Sequence, residues 1–260
     1  MLSGAGVAFL VDHPFLLAAA SFALLWSAGA LGAFIRRHRR TVRPKEAEDY
    51  TLTLGAILTL LGLIIGFSFS MAVERYNQRK NYEEEEANAI GTEYVRLDLL
   101  PTEAVRVRAL LRDYLDQRIA YYMSRDPEAL HRVGVRTAEF QASLWSAVAG
   151  PGAAQRDAIS ALVVSGMNDV LNRQGYTQAA WLNRIPIAAW ALLLVIATLC
   201  GVLLGFRDHD KHPLLLFILP TALSVSLFLI ADIDGPRGGV IRVHPTNLEA
   251  LAESLRSPAP

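Results

Sequence analysis

The fold class this sequence predicts is all-α: an integral membrane protein with four transmembrane helices and a helical domain inserted between helices two and three. Three observations carry that expectation. Four stretches are apolar for most or all of a bilayer crossing, which needs roughly 20 residues of helix for a hydrocarbon core about 30 Å thick. The 25 basic and 25 acidic residues cancel and fall almost wholly between those stretches, while 52% of the chain is hydrophobic. Nothing in the polar segment between the second and third stretches reads as strand.

The first crossing runs from Pro14 to Ile35. No Lys or Arg precedes it, and it ends at Arg36, Arg37, His38, Arg39 and Arg40, so it reads as a retained membrane helix rather than a signal peptide. The second, Thr51 to Val73, carries no charge and passes directly into Glu74 and Arg75. From Glu74 to Leu100 there is no proline, and Ala87, Ile90, Tyr94 and Leu97 recur at three- and four-residue spacing. The membrane helix is therefore expected to run on to about residue 100, as a rod of about 75 Å that stops at Pro101.

Residues 74–184 are the size of an ordinary soluble domain. A helix after Pro101 carries Leu111, Leu115, Ile119 and Tyr122 on one face and ends near Ser124. Asp126 and Pro127 make a helix start, an N-cap followed by proline at the first helical position, and that helix continues to the Gly150-Pro151-Gly152 break. Another spans about Gln155 to Leu171; Gly175 is a stop or hinge, and Trp181 suits the membrane interface on the way back. The third crossing, Ile185 to Phe206, holds the only cysteine, Cys200, as a small packing residue. The fourth, Leu214 to Ala231, is the shortest and contains Pro220, which membrane helices tolerate. Residues 232–260 read as a tail, with Asn247 to Arg256 at most a short helix and Ser257 to Pro260 frayed.

The expected location is the cell (inner) membrane, multi-pass, with the lipid bilayer as the first partner. Orientation stays open. Arg36, Arg37, Arg39, Arg40, Arg43 and Lys45 in the first short loop, with Arg207 and Lys211 in the second, lean towards cytoplasmic loops and an external central domain. Arg75, Arg79, Lys80, Arg173, Arg184, Arg237 and Arg242 flank the other side.

Catalytic chemistry has no foothold. There is no Gly-rich phosphate loop, nucleophile elbow or Cys-His cluster, so neither an enzyme nor a cofactor is expected. The balanced charge gives no reason for a nucleic-acid partner. Glu128 and His131 have a metal-site spacing but occur once, and Asp208 to His212 read as a polar headgroup-level turn, so no metal is expected. Glu83, Glu84, Glu85 and Glu86 spread around a helix and read as a solvated face pairing with Arg79 and Lys80. The second crossing is more informative. Gly62 and Gly66 allow another helix to approach closely, while Thr59, Leu63 and Phe67 form a stripe at spacings of four that could face a pore and gate it by dewetting.

Ile65-Gly66-Phe67-Ser68-Phe69-Ser70-Met71-Ala72-Val73-Glu74-Arg75-Tyr76-Asn77-Gln78 resembles the neck helix of bestrophins: Gly-Phe, seven residues, Arg, aromatics, then Asn-Gln. Gly66 to Tyr76, the segment Glu85 to Thr92 with Glu86, Asn88 and Gly91, and the closing run Asp232-Ile233-Asp234-Gly235-Pro236-Arg237 together resemble the bestrophin-like domain family of bacterial membrane proteins over nearly the whole chain. The resemblance implies a homo-oligomeric, pentameric channel for inorganic ions, its neck lined by the second helix of each subunit, with the central domain on the cytoplasmic side. The three neck positions fall on Thr59, Leu63 and Phe67, so the first departs from the apolar pattern. The paired tryptophans of bestrophins are reduced to Tyr76, and their acidic calcium clasp has no clear counterpart after the fourth crossing. The alternative reading is a membrane-anchored sensor or scaffold whose helical domain binds a ligand or partner.

Overall fold

The computed structural model describes residues 4–38, 44–100, 104–154, 157–208 and 215–256. The regular elements among them are helices: α1 (Gly4–Asp12), α2 (Pro14–His38), α3 (Pro44–Arg96), α4 (Ala104–Met123), α5 (Pro127–Ala154), α6 (Ala158–Leu182), α7 (Ile187–Asp208), α8 (Leu215–Asp234) and α9 (Thr246–Arg256). A 3-10 turn at Leu97–Leu99 follows α3. The chain forms two compact units, Met1–Arg75 with Arg184–Arg242 and Tyr76–Asn183 with Val243–Pro260. Of the basic loop, Arg39, Arg40 and Arg43 lie outside the described residues, as do the turn His209 to His212 and the expected frayed end Ser257 to Pro260.

Four helices of the described chain are long and apolar enough to cross a membrane. In the first unit α2 packs on α7 and α8. The α2/α7 crossing is built on glycine: a Cβ on Gly205 would overlap the Gly29 carbonyl oxygen, one on Gly32 the Val202 carbonyl oxygen, and one on Gly201 would lie 3.1 Å from the Leu25 carbonyl oxygen. Lipid tails are as apolar as the helices, so association there rests on such close backbone approach rather than on hydrophobic burial. Arg36, from the basic end of α2, donates to the Phe206 carbonyl at 3.1 Å. Cys200 is buried in α7, and Pro220 sits inside α8 without ending it.

The second unit gathers the later part of α3 with α4, α5, α6 and α9 around Ile90, Leu97, Leu111, Leu144, Met167 and Leu248. Leu100, held extended (φ −106°, ψ 113°) as the residue before a proline must be, ends the α3 segment. Asp126 caps α5 by accepting the Ala129 N–H at 2.8 Å, and Asp157 caps α6 through the Ser160 N–H at 2.7 Å.

Several expectations are corrected here. α5 passes through Gly150-Pro151-Gly152 and ends at Ala154, three residues beyond a proline that takes away the N–H the Ala147 carbonyl would accept. α6 starts later and runs through Gly175; a helical glycine costs about 1 kcal/mol, which the buried Val170, Thr177 and Ala180 on either side outweigh. Trp181 is 5% exposed in the core of the second unit, edge-on to Tyr121 and Tyr122 with ring centroids 5.3 Å away in each case. Residues 246–256 are no tail: α9 buries Leu248 and Ala252 in the second unit.

Candidate functional site

Helix α3 has two unlike sides. Leu54, Leu61 and Ser68 are buried at seven-residue intervals, and Ala72, Arg79, Glu86 and Glu93 form a second buried series with the same interval. The opposite side is uncovered in the single chain. Thr59, Leu63 and Phe67 all lie on it, with Leu63 55% and Phe67 63% exposed. A Cβ added at Gly55, Gly62 or Gly66 would meet nothing within 4 Å, so none of the described helices of the same chain sits on these glycines. Thr59 Oγ donates to the Gly55 carbonyl at 2.9 Å. Its hydroxyl is thereby satisfied within the helix, and what remains of the side chain is a methyl group. In the second unit, Asn77, Asn81, Glu84 and Asn88 of α3 are exposed.

Arg75 marks the end of the first unit on α3, and its partner is Asp234, the last residue of α8. Asp234 is fully buried, accepts the Ile185 N–H at 3.0 Å and faces Arg75 Nη1 at 3.4 Å. Arg184 lies 4.0 Å from the same carboxylate and also pairs with Asp12. Asp232 accepts the N–H groups of Val240 and Ile241, each at 2.8 Å, which folds the following turn back onto the helix end. Acidic side chains at a helix C-terminus oppose the helix dipole; backbone donors and guanidinium groups offset that cost here. The turn needs its glycines, since a Cβ at Gly239 would overlap Asp232 Oδ1 and one at Gly238 the Asp12 carbonyl. Pro236 and Arg237 lie half-buried in this turn.

In the second unit the glutamate run is not a solvated face. Glu83 and Glu86 are buried, Glu84 is exposed, and Glu85 pairs with Arg173. Glu83 caps α9, accepting the N–H groups of Asn247 and Leu248 at 2.9 Å each and the Asn247 amide at 2.6 Å. Burial raises its carboxyl above the ordinary value although those three bonds pull it down. Glu86 binds Arg118 and accepts from Thr177 Oγ at 3.1 Å and from Tyr122 at 3.4 Å. Burial opposes the charge of Arg118, but the Glu86 carboxylate together with Tyr114 and Tyr122 outweighs it and holds the guanidinium protonated. Burial, with Glu86 beside it, pushes the Tyr122 phenol up. Of the other motif residues, Tyr76 is half-buried, Asn77 and Asn88 are exposed, and Gly91 faces Leu251 of α9.

The structure thus brings Arg75, Asp232 and Asp234 to one end of the first unit, places Glu86 in the core of the second, and leaves Thr59, Leu63, Phe67, Gly62 and Gly66 uncovered. Sequence reasoning missed Asp12, Arg118, Thr177 and Arg184. The seven-residue spacing of Ala72, Arg79, Glu86 and Glu93 was the available signal for the buried charges.

A family model, the bestrophin-like domain, matches residues 17–248. The chain belongs to the bestrophin-like family. Among solved structures, a point variant of a bacterial Bestrophin homolog from Klebsiella pneumoniae superposes with a TM-score of 0.66 at 16% identity, over 92% of this chain and 93% of that one. A second variant of that homolog gives 0.65 at 16% identity, over 90% and 94%. A crystal structure described as a membrane protein gives 0.64 at 15% identity, over 92% and 95%. No match is found among curated proteins. At these identities the likeness is one of fold. This bestrophin-like chain is accordingly a helical membrane protein, in which Arg75 and Asp234 pair at the end of the first unit.

Proposed function

We propose that this bestrophin-like protein is an ion channel of the inner membrane, a ring of identical subunits, five in number, whose central pore is lined by the open side of α3. The observation that carries the reading is that Thr59, Leu63 and Phe67 form an uncovered stripe beside Gly62 and Gly66 on a helix whose other side is buried. Inorganic ions are the transported species. Leu63 and Phe67 form the constriction, which conducts only when wetted, since apolar collars gate by expelling water. The buried Glu86–Arg118 pair and the Arg75–Asp234 pair hold the structure of each unit rather than contact ions. The helical domain belongs on the cytoplasmic side, as the family resemblance implies.

Native mass of the purified complex in detergent tests the ring. A pentamer is the expected result; a monomer or dimer overturns a pore lined by one helix per subunit. Orientation is tested with Ser143→Cys on intact cells, where an impermeant thiol reagent should fail to react.

One observation favours the second reading, a membrane-anchored sensor. The second unit contains an open cavity of about 460 Å³ lined by polar side chains that include His131, Gln141, Gln174 and Gln178. A chain that forms a dimer and binds a small polar molecule there would favour that reading over conduction.

A further inference from the structure

Glu93 is a carboxylate with nowhere to place its charge. Its side chain has no exposed surface, and neither oxygen has a hydrogen-bond partner. Among the described residues its ion-pair partner is Arg96, 3.7 Å away and itself one-third exposed. Opposite stands Gly166 of α6, where a Cβ would overlap Glu93 Oε2 and Arg96 Nη1, so the carboxylate occupies the space a side chain would take. Beside it lies a cavity of about 290 Å³ lined by Thr92, Arg96, Gly166, Asp169, Arg173 and Glu85, among others.

The charges around this point leave one negative charge over. From α6, Arg173 pairs with Asp169 at 3.5 Å and also with Glu85 of α3. Arg96 is the remaining cation lining the cavity. From α4, Arg108 and Arg112 lie over the Tyr94 ring, and Arg108 also binds Asp98. α9 meets α3 through the apolar Leu251 at Gly91. Glu85, Glu93 and Asp169 thus face Arg96 and Arg173. No group of three metal-ligating side chains occurs among the described residues, and the Glu93 oxygens have essentially no exposed surface.

We propose that Glu93 is a proton-binding site that sets how tightly α3 packs on α6. Neutral, the carboxyl rests against Gly166; on losing its proton to solvent it draws Arg96 and water in from the adjoining cavity and loosens that contact. Burial raises the Glu93 carboxyl to about 7, against the pull of Arg96, so the change falls near neutral pH. The inference does not depend on ion conduction.

The test uses the full-length protein with Cys200→Ser, so that an introduced thiol is the only one. Thr92→Cys reports on the cavity and Ser143→Cys, on the exposed side of α5, corrects for thiol ionisation. The ratio of their reaction rates with a water-soluble reagent should rise several-fold with pH, with a midpoint near 7, and should stay flat when Glu93→Gln is added. A flat ratio in the chain that keeps Glu93 overturns the proposal, whether or not the glutamine variant folds. A midpoint that survives Glu93→Gln, or that disappears with Asp169→Asn, overturns it too by placing the proton elsewhere.

Discussion

Arg75 and Asp234 stand 159 positions apart in the chain and 3.4 Å apart in space. Arg75 is 14% exposed and Asp234 not at all, so the pair joins α3 to the end of α8 where water is scarce. The same carboxylate takes up the Ile185 N–H just before α7 begins. One side chain therefore ties three helices of the first unit together.

Removing that carboxylate leaves a half-buried guanidinium and a buried backbone donor without partners. Asp234→Ala should cost about 3–5 kcal/mol, the usual effect of breaking one half of a buried pair. Asp234→Asn keeps an acceptor for Ile185 and should lose less. Thermal unfolding of the purified variants in detergent orders them; equal losses would show that the charge, not the acceptor, matters.

The glycines of α7 and α3 should respond in opposite ways. Gly205→Ala puts a methyl group into the Gly29 backbone and should destabilise the chain by about 1–3 kcal/mol. Gly66→Ala fills open space in the single chain and should leave each subunit folded while altering assembly. Comparing unfolding temperature with native mass for both variants separates the two effects.

Phe67→Ala removes the largest exposed ring of the stripe. Ion flux from liposomes should rise several-fold while the native mass stays the same. Unchanged flux would count heavily against a constriction at this level.

Glu93 gives the fold a pH dependence of definite sign. Its carboxyl lies at about 7 when folded against 4.5 ordinarily, so the neutral form is the one the structure favours. The contribution is complete below the lower value and lost as pH rises through the upper one, by at most about 3 kcal/mol. Wild-type protein should therefore unfold more easily at pH 8 than at pH 5 as far as this group is concerned, and Glu93→Gln should flatten that slope. A glutamine variant with the full wild-type slope would refute the assignment.

Much of the fold was legible because its causes are local. Apolar length marks the crossings, Asp126 with Pro127 announces α5, and the absence of proline up to Pro101 lets α3 run on. The errors come from tertiary causes. Gly175 and Gly150-Pro151-Gly152 carry strong local stop signals, yet both helices run through them, α6 with Val170, Thr177 and Ala180 buried on either side of its glycine. The enclosure of Trp181 by Tyr121 and Tyr122 has no local signal in the sequence. Glu83 and Glu86 read as solvated because their partners, Asn247 and Arg118, lie far away in the chain. Among the glycines, the pair at Gly62 and Gly66 drew notice because it sits in the longest uncharged run. The pair that packs inside the chain, Gly201 with Gly205, follows the same spacing, and only the position of α2 distinguishes them.

The α2/α7 crossing also limits how this chain can change through descent. A seam of large side chains can drift, because growth on one helix is answered by shrinkage on the other. Where Gly205 meets Gly29 there is nothing left to shrink on either helix. Every first step adds volume and no second step can take it back, so the distance between these two axes should stay put while the sequence around them diverges.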